Sequence, residues 1–127
     1  FAYHRDVIDE LYAQLHDSFG IADVNGATAR ENRQMEVDRF QSNPNVNIFT
    51  CQLQTAGVGL TLTAASEAII VESSWVPAEN EQAIMRIHRI GQRNARRARF
   101  ATLAKSIDEK IYRAVIRKAE DIIQLFN

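Results

Sequence analysis

The side chains best suited to chemistry in this sequence are a glutamine and two arginines, Gln82, Arg86 and Arg89. Separations of four and then three residues place all three on one face if the segment is an α-helix. Burying such a polar, cationic face without partners is costly. Two guanidinium groups in register can hold one phosphate chain and offset charge on a phosphoryl group during its transfer. The spacing therefore predicts a phosphate-binding site, and the alternative is a surface helix with a salt-bridged face.

The charge of the chain is divided unevenly along its length. Residues 1–81 contain 4 Lys/Arg and 12 Asp/Glu, a net charge of −8, whereas residues 82–127 contain 11 Lys/Arg and 4 Asp/Glu, a net charge of +7. Such a split is typical of a protein with one end that faces a polyanion. The arginines of the densest basic stretch are Arg86, Arg89, Arg93, Arg96, Arg97 and Arg99. Those beyond residue 92 either contact the polyanion or form a solvated basic face.

The elements that position these residues alternate between short apolar runs and amphipathic stretches. The pattern predicts strands at 1–3, 21–24, 46–51, 68–71 and 99–104, and helices at 5–17, 28–41 and 78–90 and from 107 to the C-terminus. Two capping boxes, Thr28 with Glu31 and Ser106 with Glu109, begin two of these helices. Gly91 is a natural stop for the third helix.

This alternation predicts an α/β fold with a mainly parallel sheet flanked by helices on both faces. Residues 68–71 form a continuous apolar run, which is typical of a strand buried on both faces. Ligands of such sheets bind beyond the carboxyl ends of the strands. The Gly-rich loop 57–61 and the start of the helix that carries Arg86 and Arg89 should both lie at that edge.

Composition excludes several other classes of protein. The 127 residues fit one domain, and no apolar run approaches the roughly 20 residues that span a bilayer. Cys51 is the only cysteine, so neither an internal disulfide nor a multi-cysteine metal site is possible, and an intracellular compartment is expected. Because Cys51 lies in an apolar strand, we expect a buried, inert thiol.

The string from Gln82 to Gln92, QAIMRIHRIGQ, resembles the last motif of Swi/Snf-type helicase-like ATPases of helicase superfamily two. Upstream segments resemble further motifs in the family's order: NGAT followed by Arg33, then TAGVGLTLTAA, then WVP. The similarity covers essentially the whole chain and is closest to the annealing-helicase branch. It implies that residues 1–127 form the C-terminal helicase domain, which is the second RecA-like lobe of such an enzyme.

The resemblance also implies a role for individual residues. Arg86 and Arg89 would be the catalytic arginine fingers, which face the nucleotide phosphates across the cleft between the two lobes. The other residues implied at the nucleotide are Gln82, Gly57, Gly59 and, near the ribose, Thr61. The residues implied along the DNA track are Gly26, Thr28, Arg33, Gln54, Thr55 and Trp75. Gln52 departs from the family's pattern, in which a hydroxyl side chain is frequent at this place.

The expected ligand is ATP with Mg²⁺, and the metal would be held mainly by the first lobe. The chain has no Gly-x4-Gly-Lys-Ser/Thr loop and no Asp-Glu pair placed to hold magnesium, and phosphoryl transfer needs both a phosphate cradle and a metal. This chain alone is therefore predicted not to hydrolyse ATP. The expected partners are the first RecA-like lobe of the same polypeptide and double-stranded or forked DNA, with no membrane. The expected location is the nucleus in a eukaryote, or the cytoplasm or nucleoid in a bacterium or virus.

The predicted function is that of a second motor lobe in a DNA-dependent helicase-like translocase that remodels or anneals DNA. A degenerate, non-catalytic lobe that binds DNA or protein is the alternative. An unrelated Rossmann-like domain would place Gly-x-Gly-x-x-Gly after the first strand, and the sequence lacks it there.

Overall fold

The computed structural model describes residues 1–57 and 59–125. Its helices are α1 (Arg5–Leu15), α2 (Arg30–Ser42), α3 (Leu53–Ala56), α4 (Pro77–Ile84) and α5 (Ile107–Leu125). Its strands are β1 (Gly20–Val24), β2 (Val46–Cys51), β3 (Glu67–Ile70) and β4 (Arg97–Phe100). The order of elements follows the predicted alternation, and the short helix α3 is an addition that the sequence pattern did not predict. The predicted α/β fold class is confirmed.

Parallel pairing organises the strands into two ladders, β1 with β2 and β3 with β4. The first residues of the chain, predicted as a strand, lie between these ladders. On one side, Ala2 donates to the carbonyl of Cys51 at 3.3 Å and its own carbonyl accepts from Leu53 at 2.9 Å. On the other, the carbonyl of Phe1 accepts from Val71 at 2.8 Å. Backbone hydrogen bonds therefore connect β2 to β3 through this segment, although only Ala2 forms a bridge, with Gln52.

Glu72, just after β3, fixes the same segment from the side. Its carboxylate accepts hydrogen bonds from the backbone N–H groups of Tyr3 (3.1 Å) and His4 (2.8 Å), and its other oxygen lies 2.6 Å from His4 Nδ1. Partial burial raises the pKa of Glu72, but the hydrogen bonds from His4 and Tyr3 outweigh it and hold that pKa below its usual value. The ionised carboxylate therefore stabilises the segment between the ladders.

The core forms where the strands and the helices meet. Buried apolar side chains of β1, β2, β3, α2, α3, α4 and the segments beside them pack there; they include Ala22, Val24, Val37, Phe40, Leu53, Leu62, Ile70, Ala83 and Ile87. The prediction that residues 68–71 are buried on both faces is wrong, because Ala68 and Ile70 are buried whereas Glu67 and Ile69 are exposed. Glu67 instead binds Arg97 and Arg99 of β4 across the exposed face, with N–O distances of 3.4 and 2.8 Å.

The predicted helix over 78–90 is too long, because α4 ends at Ile84. The N–H groups of Arg86, Ile87 and His88 donate to carbonyls three residues back, which is the pattern of tight turns rather than of an α-helix. One tertiary and one local hydrogen bond compete with the helical pattern here. The carbonyl of Arg86 accepts from Leu62 N–H at 3.0 Å, and that of Ile87 accepts from the Gln92 side chain at 3.1 Å. These carbonyls are thereby withdrawn from a helical ladder.

The two predicted capping boxes have different outcomes. The box at Thr28 is wrong, because α2 begins at Arg30 and the Thr28 hydroxyl accepts from the N–H of Asn25 at 3.0 Å. The Ser106 hydroxyl does cap α5, since it accepts from the N–H of Asp108 at 3.1 Å. Glu109 reaches back to the N–H of Lys105 at 2.6 Å rather than to that of Ser106.

The last strand begins and ends earlier than predicted, since β4 is Arg97–Phe100 whereas 99–104 was expected. Its pairing starts where the N–H of Arg97 donates to the carbonyl of Ser66 at 2.9 Å. Arginine side chains are compatible with a strand at this position. Within the described residues β4 is an edge strand that pairs only with β3, and its first three residues are exposed.

Candidate nucleotide-phosphate site

Arg89 is held against the Gly-rich loop by one end of its guanidinium group. Its Nη1 donates to the carbonyl of Gly59 at 3.1 Å and to the hydroxyl of Thr61 at 3.0 Å. Gly59 has φ +86°, in the left-handed region that side chains disfavour, and this conformation sets the direction of its carbonyl. The structure thus joins two segments that lie 28 to 30 residues apart in sequence.

Arg86 lies beside Arg89 but is buried, with 8% of its surface exposed. Its Nε has no hydrogen-bond partner among the residues that the structure describes. Burial lowers the pKa of Arg86, and the nearby charge of Arg89 lowers it further. A buried guanidinium with an unpaired N–H is unfavourable unless an anion completes it. The environment of Arg86 therefore points to a ligand that brings negative charge.

Gln82 faces the same loop from the exposed side of α4. A Cβ atom on Gly57 would lie 3.7 Å from the Gln82 Oε1 and 3.2 Å from the carbonyl oxygen of Gln54. The tight contact would be with the Gln54 carbonyl of α3, whereas Gln82 of α4 would lie at an ordinary van der Waals distance.

The prediction that Gln82, Arg86 and Arg89 share one helical face is wrong, because the helix ends before the arginines. The six residues predicted at the nucleotide nevertheless converge on the loop 57–62. Gln82 approaches it at Gly57, Arg89 contacts it at Gly59 and Thr61, and Arg86 binds it through its backbone. Whether these residues bind a nucleotide remains a prediction.

Three of the residues predicted along DNA form a second group after β1. Gly26 donates its N–H to the Oε1 of Gln52 at 2.8 Å, and Arg33 donates its Nε–H to the carbonyl of Thr28 at 2.9 Å. The side chain of Asn25 completes this turn by accepting from the N–H of Ala27 at 2.9 Å. Gln52, for which the sequence motifs imply no role, bridges Gly26 and Tyr3 with its side-chain amide.

The other three residues predicted along DNA differ in accessibility. Gln54 is exposed on α3, whereas the neighbouring Thr55 is 6% exposed, so DNA could reach its side chain only after local movement. Trp75 is 47% exposed. Lys118 of α5 covers it, with Nζ 6.0 Å from the ring centroid and a 3.0 Å hydrogen bond to the Trp75 carbonyl.

Gln92, the last residue of the arginine motif, is a further residue of the site for which the motif itself implies no role. Its Nε2 lies within hydrogen-bond distance of the carbonyls of Thr63 (3.2 Å), Ala65 (2.6 Å) and Ile87 (3.1 Å). It thereby ties the end of the Gly-rich loop to the turns that carry the arginines. Its position inside the arginine motif is the feature of the sequence from which a role at this site could have been predicted.

The described residues offer no reactive thiol, no metal-binding cluster and no membrane-spanning helix. Cys51 is buried as predicted, and burial raises the pKa of its thiol to about 12, so the thiol stays protonated at neutral pH. Within residues 1–57 and 59–125, no group of three or more His, Cys, Asp and Glu side chains could hold a metal ion. The helices in this part of the chain include none that is long and apolar enough to cross a membrane.

A parallel sheet whose Gly-rich loop and arginine turns meet beside it defines a RecA-like lobe of the helicase-like type. The chain belongs to the family of the helicase conserved C-terminal domain, whose model matches residues 1–91. Its relatives place it in the Swi/Snf-type group of superfamily two, as the motifs predicted.

Three comparisons illustrate the relationship. The chain is 38% identical to the DNA excision repair protein ERCC-6-like of Bos taurus over 115 residues. These residues make up 89% of the chain and 9% of that protein. It is 35% identical over 127 residues to the human lymphoid-specific helicase, covering 97% of the chain and 15% of that protein. The crystal structure of the C-terminal part of the Fun30 ATPase domain superposes with a TM-score of 0.86 at 28% identity, over 91% of this chain and 37% of that one. The chain thus spans a small part of the curated relatives it matches.

Proposed function

We propose that this lobe supplies arginine fingers and part of a duplex DNA track to a DNA-dependent ATPase that drives remodelling or annealing. The observation that carries the proposal is the pair formed by buried Arg86, whose Nε lacks a partner, and exposed Arg89, which is only partly engaged. Unfilled donors on two adjacent cations favour a polyphosphate ligand over a neutral one. A degenerate binding module would have no reason to retain a buried, incompletely paired arginine.

In this proposal, ATP lies between this lobe and the first RecA-like lobe of the same polypeptide, with Mg²⁺ held mainly by that first lobe. ATP supplies the phosphoryl group that is transferred to water. Arg86 and Arg89 offset the charge that builds on that group in the transition state. Gln82 and Gly57 shape the wall of the cleft, and Gly59 and Thr61 contact Arg89 directly.

The DNA side of the proposal rests on the turn that contains Gly26 and Thr28, together with Arg33, Gln54, Thr55 and Trp75. Backbone amides and short side chains of this kind contact phosphates rather than base edges. We expect salt-sensitive binding with little sequence preference. We also propose that the lobe acts on double-stranded or forked DNA inside the cell. The names of its relatives, which include DNA repair proteins and a helicase, support that setting.

The test is ATP hydrolysis by a protein that contains both lobes, with and without duplex DNA. Replacing Arg89 with alanine should lower the DNA-stimulated rate by roughly 10³-fold or more, because arginine fingers contribute about that much. Arg113→Ala is the matched control, since Arg113 is an exposed arginine on α5 that pairs only with Glu109 in the described structure. It should retain the wild-type rate.

Two outcomes would redirect the proposal. A rate indifferent to both Arg89 and DNA would favour the degenerate binding module. Steady hydrolysis by residues 1–127 alone would contradict the view that the phosphate cradle and metal lie outside this chain.

A further inference from the structure

The contact between Arg89 and the Gly-rich loop uses only one corner of the guanidinium group. Nη1 carries two hydrogens, and it has two acceptors here, the Gly59 carbonyl and the Thr61 hydroxyl. In the described structure, neither Nε nor Nη2 of Arg89 makes a hydrogen bond. Those two nitrogens form the edge that grips a phosphate with two parallel hydrogen bonds. The contact therefore orients Arg89 without using its phosphate-binding edge.

Each acceptor has a local feature that sets its direction. Threonine is branched at Cβ, so its χ1 angle, and with it the position of the hydroxyl, is more restricted than that of an unbranched side chain. The Gly59 carbonyl is directed by a backbone conformation, φ +86°, that other residues seldom adopt. The two acceptors can thus hold a long, otherwise flexible arginine in one orientation.

Electrostatic repulsion between the two arginines opposes the observed position of Arg89. Arg86 is a second cation close enough to Arg89 for the two charges to disfavour each other, and it is buried, so water screens its charge poorly. Exposed Arg89 would lower its energy by moving away from Arg86. The carbonyl and hydroxyl dipoles oppose that movement, because both direct an oxygen at Nη1.

We propose that Thr61 is a positioning residue for Arg89, which holds the guanidinium with its phosphate-binding edge free, rather than a contact to the ribose of the nucleotide. The inference rests on the proposed function and deepens it. The Thr61 hydroxyl then stabilises the transition state of hydrolysis indirectly, because it orients Arg89. A ribose contact would instead contribute equally to the binding of substrate and transition state.

The test compares Thr61→Val with Thr61→Ser in the protein that contains both lobes. Valine keeps the shape of threonine but removes the hydroxyl, and serine keeps the hydroxyl. With Thr61→Val we expect kcat at saturating DNA to fall roughly tenfold, as for the loss of one hydrogen bond to a charged group, and the KM for ATP to stay within about twofold. Thr61→Ser should restore most of the rate. Thr102→Val, the same chemical change at an exposed loop residue, is the matched control and should behave as wild type.

A double-mutant cycle supplies the readout that a merely structural role would not move. If Thr61 acts through Arg89, Thr61→Val should lower kcat no further in a protein that already carries Arg89→Ala. An additive effect of the two substitutions would overturn the inference. So would a Thr61→Val protein with unchanged kcat and a raised KM, which is the signature of a ribose contact.

The failure of this inference is distinguishable from the failure of the proposed function. If Arg89→Ala alone leaves DNA-stimulated hydrolysis intact, the arginine-finger proposal fails. If Arg89→Ala abolishes hydrolysis while Thr61→Val has the wild-type kcat and KM, only the role of Thr61 is refuted.

Discussion

Two polar regions of this lobe differ in how far their hydrogen-bonding groups are paired within the chain. In the turn after β1, the Thr28 hydroxyl, the Asn25 side chain and the Gly26 N–H all have partners within the chain. In the arginine turns after α4, the Nε of buried Arg86 has none within the described residues, and Arg89 uses only Nη1. The first region has its hydrogen-bonding groups paired within the chain, whereas the second leaves donors unfilled, which suits the phosphate ligand that we propose.

The difference in hydrogen-bond pairing predicts different consequences of substitution in the two regions. Side chains that are satisfied internally contribute by presenting a fixed backbone, so substitutions there should lower stability first. Side chains with unfilled donors contribute by direct contact, so substitutions there should lower activity first. The three predictions below test that division, from the largest expected effect to the smallest.

Replacing Arg86 with methionine should separate activity from stability most clearly. Methionine fills a similar long, narrow space without a charge, so the lobe no longer buries an incompletely paired guanidinium. We expect ATP hydrolysis by the two-lobe protein to fall about a hundredfold or more, as when one transition-state donor is removed. Hydrogen-exchange protection of β2 and α4 should be maintained or increased.

Loss of protection in the Arg86→Met protein would show that Arg86 is a structural residue with partners inside the fold. That outcome would remove the contrast between the two regions.

Replacing Glu72 with glutamine should affect stability alone, and in a pH-dependent way. The pKa of Glu72 is lowered in the folded state, so its ionised form stabilises the fold above the pKa of the unfolded chain, and that contribution is lost as pH falls through the folded-state pKa. At neutral pH the variant should open more easily around Tyr3 and His4, by about 1–2 kcal/mol. The difference should vanish in acid.

The measurement is amide hydrogen exchange of residues 1–4 in the variant and the wild type, compared at the same pH across the acidic range. A difference that persists unchanged at the lowest pH would show that geometry, rather than the carboxylate charge, makes the contribution.

Replacing Gln52 with alanine should have the smallest effect, about 1 kcal/mol, because it removes an exposed hydrogen bond to Gly26 and a long one to Tyr3. The Gly26 amide should exchange faster, while ATP hydrolysis at saturating DNA stays within about twofold of wild type. Gln54→Ala is the matched control: Gln54 is an exposed glutamine two residues away, and its loss should change stability by less than about 0.5 kcal/mol. A large loss of hydrolysis with Gln52→Ala would place the turn after β1 in the catalytic machinery.

Much of the architecture could be predicted because local patterns and tertiary structure agree. The strand at 46–51 has the predicted bounds, and helices α1 and α2 begin or end within two residues of the predicted positions. Apolar runs and amphipathic stretches bounded by turn residues indicate these elements, and Val37 and Phe40 of α2 are buried in the core. The family and the fold class could also be predicted, because the arginine motif is a long and specific string.

The errors occurred where a group had a hydrogen-bond partner other than the one that the local pattern predicts, and in one case this partner is distant in sequence. Residues 85–90 continue a helical pattern, yet the carbonyls of Arg86 and Ile87 bind Leu62 and Gln92 instead. Thr28 and Glu31 have the spacing of a capping box, yet the Thr28 hydroxyl binds Asn25. Sequence spacing records which local partner is possible but contains no information about a competing tertiary one.

The sequence by itself determined which residues gather at the candidate site, since Gln82, Arg86, Arg89, Gly57, Gly59 and Thr61 all follow from its motifs. Only the tertiary structure decided how they are presented: Arg86 buried with an unpaired Nε, and Arg89 exposed and oriented by Gly59 and Thr61. The physical reason is that residue types and spacing fix the available donors, acceptors and charges. Burial and hydrogen-bond pairing arise only when segments distant in sequence compete for the same groups.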